Sequence, residues 1–161
     1  MGVFDRSVTT TIDSTARYAL GQIAWDMSTG EAFRYVKNGG ATTSVATKLA
    51  TWLTAGTRGV ATMTDATSTD GTLGTVYGVC GVWQAAIPTN NYGWLCVVSD
   101  YTDVFTDGGV VDGDYLVGDG GATHTFIADT AVAGEEHAVF GIARADDVST
   151  NVKAAINCLG R

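Results

Sequence analysis

The chain has 161 residues, a formal net charge of -8 and a sequence pI of about 4.4. That length suffices for one domain with a real core, and the charge excludes the basic surface that nucleic-acid phosphates require. Apolar residues make up 45% against 16% charged, with four Trp and 21 Gly, which excludes a disordered chain and favours packed β-structure with many turns.

In chain order, Val3 to Thr15 mixes Thr, Ser and Asp with few apolar residues, and its Ser7–Ile12 run alternates too weakly for a core strand. It reads as an extended arm, either frayed or adding a strand to a neighbouring subunit. From Tyr18 the pattern changes: Tyr18–Trp25, a turn closing at Gly30, and Glu31–Lys37 leading into Asn38-Gly39-Gly40 form a β-hairpin signature. Ser44 to Leu53 places Val45, Leu49, Trp52 and Leu53 at spacings compatible with a short amphipathic helix, although its threonines favour strand. Gly59–Met63 reads as a strand and Asp65–Gly74 as a loop. Val76–Ile87, a Pro88–Asn91 turn and Tyr92–Val98 predict two paired strands. Gly113–Val117, Thr123–Ile127, His137–Ala143 and Asn151–Cys158 complete a series of short strands broken by glycine-rich turns. Such spacing suits a small barrel or sandwich.

Chemistry is sparse in this sequence. No Gly-x-Ser-x-Gly elbow is present, and His124 and His137 read as ordinary strand residues with no nucleophile or carboxylate held at a fixed spacing. Asp100 to Asp119 supplies six carboxylates among glycines, but Asp112-Gly-Asp114 lacks the third acidic position and the closing Glu of a calcium loop, so surface turns are expected. Gly39-Gly40 and the Gly118–Gly121 cluster are turns and not phosphate loops. Cys80, Cys96 and Cys158 are odd in number and widely spaced, which predicts free thiols in the core. Neither a catalytic residue, a cofactor nor a metal site is expected. Between Arg58 and Arg144 no Lys or Arg occurs, while Asp65, Asp70, Asp100, Asp103, Asp107, Asp112, Asp114, Asp119, Asp129, Glu135 and Glu136 all stand there. This is either a solvated acidic face or a surface whose partner is basic, neutral or cationic. No apolar run is long enough to cross a bilayer and Met1–Ser7 has no signal-peptide core, so no membrane partner is expected.

Three stretches carry a family resemblance. Tyr18-Ala-Leu-Gly-Gln-Ile-Ala-Trp-Asp-Met-Ser-Thr-Gly-Glu-Ala-Phe-Arg-Tyr-Val-Lys-Asn-Gly39 resembles the opening hairpin of small capsid decoration proteins of tailed bacteriophages. Gly78–Val97 is similar to the same group's "G-V-x-Q-A-A-I … Y-G-W-V-x-V" pair, and Gly113–Val117 with Val139–Ala143 to its "L-V … G-I-A" ending. The sequence departs from that pattern at Ala41–Thr57, where Thr and Ala replace a Gly-rich segment. The resemblance implies a β-rich, often trimeric protein seated outside the shell at junctions between major capsid subunits, where it stabilises the expanded, DNA-filled head.

The expectation is therefore one all-β domain, a small β-barrel or β-tulip-like body over residues 17–161 with an extended arm over residues 1–16 and room for one short helix. Its expected role is that of a non-enzymatic cement protein on the virion surface, assembled in the host cytoplasm, with the major capsid protein and its own copies in a homotrimer as partners. A tail or head fibre, or a carbohydrate- or calcium-binding β-module, is the alternative. Expected interface residues are Val3, Phe4, Val8 and Ile12 of the arm and the hairpin aromatics Trp25, Phe33 and Tyr35.

Overall fold

The computed structural model describes residues 4, 6–52, 59–62, 79–106, 108–119, 127–130, 139–146 and 150–159. A short 3-10 turn, Arg6–Thr10, precedes ten strands among these residues: β1 Ile23–Asp26, β2 Glu31–Asn38, β3 Leu49–Trp52, β4 Val60–Thr62, β5 Val79–Trp83, β6 Tyr92–Phe105, β7 Tyr115–Asp119, β8 Ile127–Thr130, β9 Gly141–Ala143 and β10 Asn151–Asn157. The fold is mainly β, and no helix among the described residues is long and apolar enough to cross a membrane.

All ten strands form one sheet in the order β1-β2-β4-β3-β5-β6-β10-β9-β7-β8, and an added β2–β6 pairing bends part of it into a ring. The ring runs β2-β4-β3-β5-β6 and back to β2, with β2–β4 its parallel step. Closure removes the open edges that a five-stranded sheet would otherwise present. Beyond the ring the sheet continues as β10, β9, β7 and β8. The 14-residue β6 belongs to both parts, because Val98 pairs with Ala32 of β2 on one edge and with Asn157 of β10 on the other.

The expected hairpin is present as β1 and β2, in register Ile23↔Arg34 to Asp26↔Glu31. Its turn is closed by Gly30 at φ 74, and by the Ser28 hydroxyl and amide, which donate to Asp26 Oδ1 at 2.6 and 2.9 Å. Those two bonds, the hydroxyl first, hold the Asp26 carboxyl below its ordinary range. The helix compatible with Ser44–Leu53 does not form. Leu49–Trp52 is a fully buried strand between β4 and β5, because β pairing on both edges outweighs a weak helical spacing rich in threonine. The Asp65–Gly74 loop and most of the Thr123–Ile127 strand lie outside the described residues.

The core is continuous and includes Phe33, Tyr35, Val36, Leu49, Val82, Trp83, Ile87, Trp94 and Leu95, all at most 1% exposed. Cys80, Cys96 and Cys158 are buried and unbridged, and burial raises the Cys96 thiol to about 12. Charge is interred as well, at Asp26, Glu31 and Arg34 among the described residues. The Arg34 guanidinium donates to the Leu159 carbonyl at 2.8 Å, more distantly to those of Cys80 and Cys158, and lies 5.2 Å over the Trp52 ring. Carbonyl oxygens and a ring face thus take the place of its hydration.

Gly81 sets how closely β5 approaches β6. At φ 152, a Cβ there would meet the Cys96 carbonyl oxygen at 2.8 Å and the Leu95 Cβ at 2.9 Å, whereas Gly108 at φ 104 faces open space. Gly81→Ala therefore combines backbone strain with overpacking and is expected to cost about 3 kcal/mol, against about 1 kcal/mol for Gly108→Ala. Urea unfolding of the two variants measures the difference.

Candidate functional site

The described residues of the arm, Phe4 and Arg6 onward, pack against the chain's own sheet. The Phe4 ring packs edge-on to Trp94 at 4.9 Å and against Phe33 at 5.7 Å. Arg6 lies 2.9 Å from Glu31, a buried carboxylate that also accepts from Ser99 Oγ at 2.8 Å and Thr29 Oγ1 at 3.1 Å. Thr9 is buried, and Asp13 forms a two-way backbone bridge with Tyr92. The aromatic side chains that an unpaired arm would leave bare are the reason. Phe4 and Tyr18 cover the face of β2 and β6 on which Phe33, Tyr35 and Trp94 stand.

This arrangement corrects part of the expected interface. Phe33 and Tyr35 have no exposed surface and are core residues of this chain, since β1, β6 and the arm enclose β2 on every side. Phe4 and Val8 are half-buried against the domain and Val3 lies outside the described residues. Ile12 and Trp25, each 44% exposed, remain on the surface.

Trp25 belongs to a face that only the strand register brings out. Paired residues share a face of a sheet, so Trp25, Ala32, Val98 and Asn157 form a row across β1, β2, β6 and β10. Ala155, two residues before Asn157, lies on the same face and begins a second row through Ile142 of β9 to Tyr115 of β7. Trp25 and Tyr115, 44% and 59% exposed, stand at the two ends of these rows, with Ala32 fully buried next to Trp25. At the Tyr115 end, over β6, β10, β9 and β7, lies an open groove of about 380 Å³ whose lining includes Val98, Asp100, Tyr115, Ile142, Ala155 and Asn157.

The opposite faces of the same strands are apolar and closed: Leu116, Ala143, Ala154 and Ile156 are at most 3% exposed. A β6 bulge opposite Ala155 breaks the alternation and leaves both Asp100 and Tyr101 exposed. Next to them, Lys153 Nζ sits 2.7 Å from Asp103 Oδ2 and 5.4 Å over the Tyr101 ring.

Charge is unequally divided between the two parts of the chain. Residues 1–58 contain six Lys or Arg and four Asp or Glu, whereas residues 59–161 contain three and thirteen. The open face is built mostly by the acidic part. Strand alternation could have shown that Tyr115 and Ile142 point opposite to Leu116 and Ala143, but nothing in the sequence says which of the two faces is covered. Among the described residues no three Asp, Glu, His or Cys side chains converge as for a metal ion, and His124 and His137 lie outside them. The geometry suits contact with another macromolecule.

Beneath the arm, the Tyr35 hydroxyl donates to Asp13 Oδ2 at 2.7 Å and accepts from the Arg17 amide at 3.2 Å. Burial first, and then Asp13, raise Tyr35 from 10.0 to about 12. A raised pKa means that the folded chain keeps a proton the unfolded chain has lost. Its contribution is complete below pH 10 and disappears as pH rises from 10 to about 12. Tyr35→Phe is expected to cost about 1 kcal/mol at neutral pH and to flatten the alkaline decline of stability, as measured by denaturation across that range. Compared with protein-family models, curated proteins and solved structures, the chain matches none.

Proposed function

We propose that this chain is a virion structural protein that decorates the outer surface of a tailed-phage head and stabilises the expanded shell. The observation that carries the reading is the open, part-apolar groove of the sheet face from Val98 to Tyr115, with the exposed Trp25 ring further along the same face. A surface of that shape suits a flat protein partner, and several modest contacts of this kind sum to firm attachment when they engage adjacent subunits together. The resemblance of the β1–β2, β5–β6 and β7–β9 segments to phage decoration proteins supports the same reading. Under it, the major capsid protein and the chain's own copies, as a trimer, are the partners, and the acidic surface limits premature association. The exposed rings of Trp25, Tyr101 and Tyr115 favour one other reading, a glycan-binding β-module.

Expanded, undecorated phage heads mixed with the purified chain test the proposal. The expected result is co-sedimentation together with a higher melting temperature of the heads. Trp25→Ser and Tyr115→Ser should lose binding while changing the chain's own stability by no more than about 0.5 kcal/mol, as usual for surface positions. Folded chain that stays in the supernatant and binds an array of glycans instead would decide for the second reading.

A further inference from the structure

We infer that the groove between Tyr115 and Asp100 receives a lysine or arginine side chain from an extended, apolar segment of a partner protein. The inference rests on the reading of this face as a contact surface, and it names the chemistry of what binds there.

The same face already shows how it holds a cation. Lys153 is seated with its ammonium against the Asp103 carboxylate and over the Tyr101 ring. Carboxylate and ring act together there, the one by charge and the other through its negative π-face. The groove presents a second such combination, Tyr115 and Asp100, with no cation supplied by the described residues. Neither side chain makes an ion pair or hydrogen bond among them. Tyr115 is 59% exposed, so its ring is open to a ligand.

The rest of the groove selects what accompanies the cation. Val98, Ile142 and Ala155 are half-buried and offer apolar contact, and Asn157 offers an amide at the margin. An extended strand places alternate side chains on one side at a spacing that lets apolar residues flank a lysine or arginine. The surplus of acidic residues in 59–161, thirteen against three basic, draws such a segment in and repels an acidic one. A second copy meeting the groove face to face is disfavoured as occupant because it brings the same acidic face.

Two short acetylated peptides test this, one alternating lysine with valine and the other glutamate with valine, each titrated into the isotope-labelled full chain by NMR. The lysine peptide is expected to shift the backbone amides of Ser99, Ile142, Ala155 and Asn157, and to weaken as salt is raised. Asp100→Asn and Tyr115→Ala should each reduce its affinity by roughly tenfold. Asp112→Asn, the same charge change outside the groove, should leave it nearly unaltered.

Four results would overturn the inference: no shifts at millimolar peptide, equal binding of the glutamate peptide, equal losses in Asp100→Asn and Asp112→Asn, or shifts of the same amides with chain concentration alone. The last would assign the face to a second copy. Sedimentation with phage heads separates the two proposals. Peptide binding without head binding leaves the groove assignment standing and removes the decoration reading. Head binding that survives both groove substitutions, with no peptide binding, removes the groove assignment alone.

Discussion

The structure depends on β6 being long enough to serve two neighbourhoods. Its first half is enclosed by β2 and β5 and closes the ring, and its second half pairs with β10 and starts the open part of the sheet. A flat strand could not do both, since closure requires strong bending while the extension requires a surface that spreads. Two irregularities in register resolve the conflict. One lies between Ala32 and Phe33 of β2, opposite Cys96–Val98, and one lies opposite Ala155 of β10. Each inserts an extra β6 residue and turns the strand there. The second also brings Asp100 and Tyr101 to the surface, so the irregularity that lets the sheet change course furnishes part of its contact face.

Polar groups inside the domain hold separate segments in place. Glu31 connects the arm through Arg6, the hairpin turn through Thr29 and β6 through Ser99. Tyr35 connects β2 to Asp13 and Arg17. Arg34 reaches the carbonyls that follow β10. Each bond contributes about 1 kcal/mol net, but a buried group deprived of its partners costs more than that, which penalises alternative registers. Trp83 is the exception, a buried indole whose Nε1 has no partner among the described residues. Its large apolar ring at the junction of β5 and β6 compensates for the lost hydrogen bond.

What the sequence revealed follows from how local each signal is. The β1–β2 hairpin was legible because its alternation and its Gly30 turn are confined to one short stretch. The β5–β6 pair was legible for the same reason, with Pro88 and Asn90 marking the reversal. Leu49–Trp52 was ambiguous because four apolar residues in ten fit either period, and only pairing with β4 and β5 decides between them. The arm misled because its few apolar residues gain meaning from partners far along the chain: Phe4 is explained by Trp94, and Arg6 by Glu31. Phe33 and Tyr35 read as interface residues in the sequence for a related reason, as aromatics on a strand look the same whether the arm or another subunit covers them. Of the residues on this face, Trp25 alone was expected at an interface from the sequence. Tyr115 and Ile142 share a face with β10 and β6 through pairings that span more than 50 residues of chain, and the β6 bulge places Asp100 beside them in the groove.

The three enclosed thiols give the molecule an internal clock. Cys80 lies on β5, Cys96 on β6 and Cys158 just past the end of β10, where its amide still bonds to the Val97 carbonyl. None can meet a reagent in solution without some strand parting from its neighbour, and different strands guard each of them. Cys158 is held at the end of β10 by the Val97 carbonyl and by Arg34, which bonds to the Cys158 and Leu159 carbonyls, whereas Cys80 and Cys96 lie on strands of the ring itself. The order in which the thiols become reactive therefore records the order in which the sheet comes apart, and the protein carries that record without any added label.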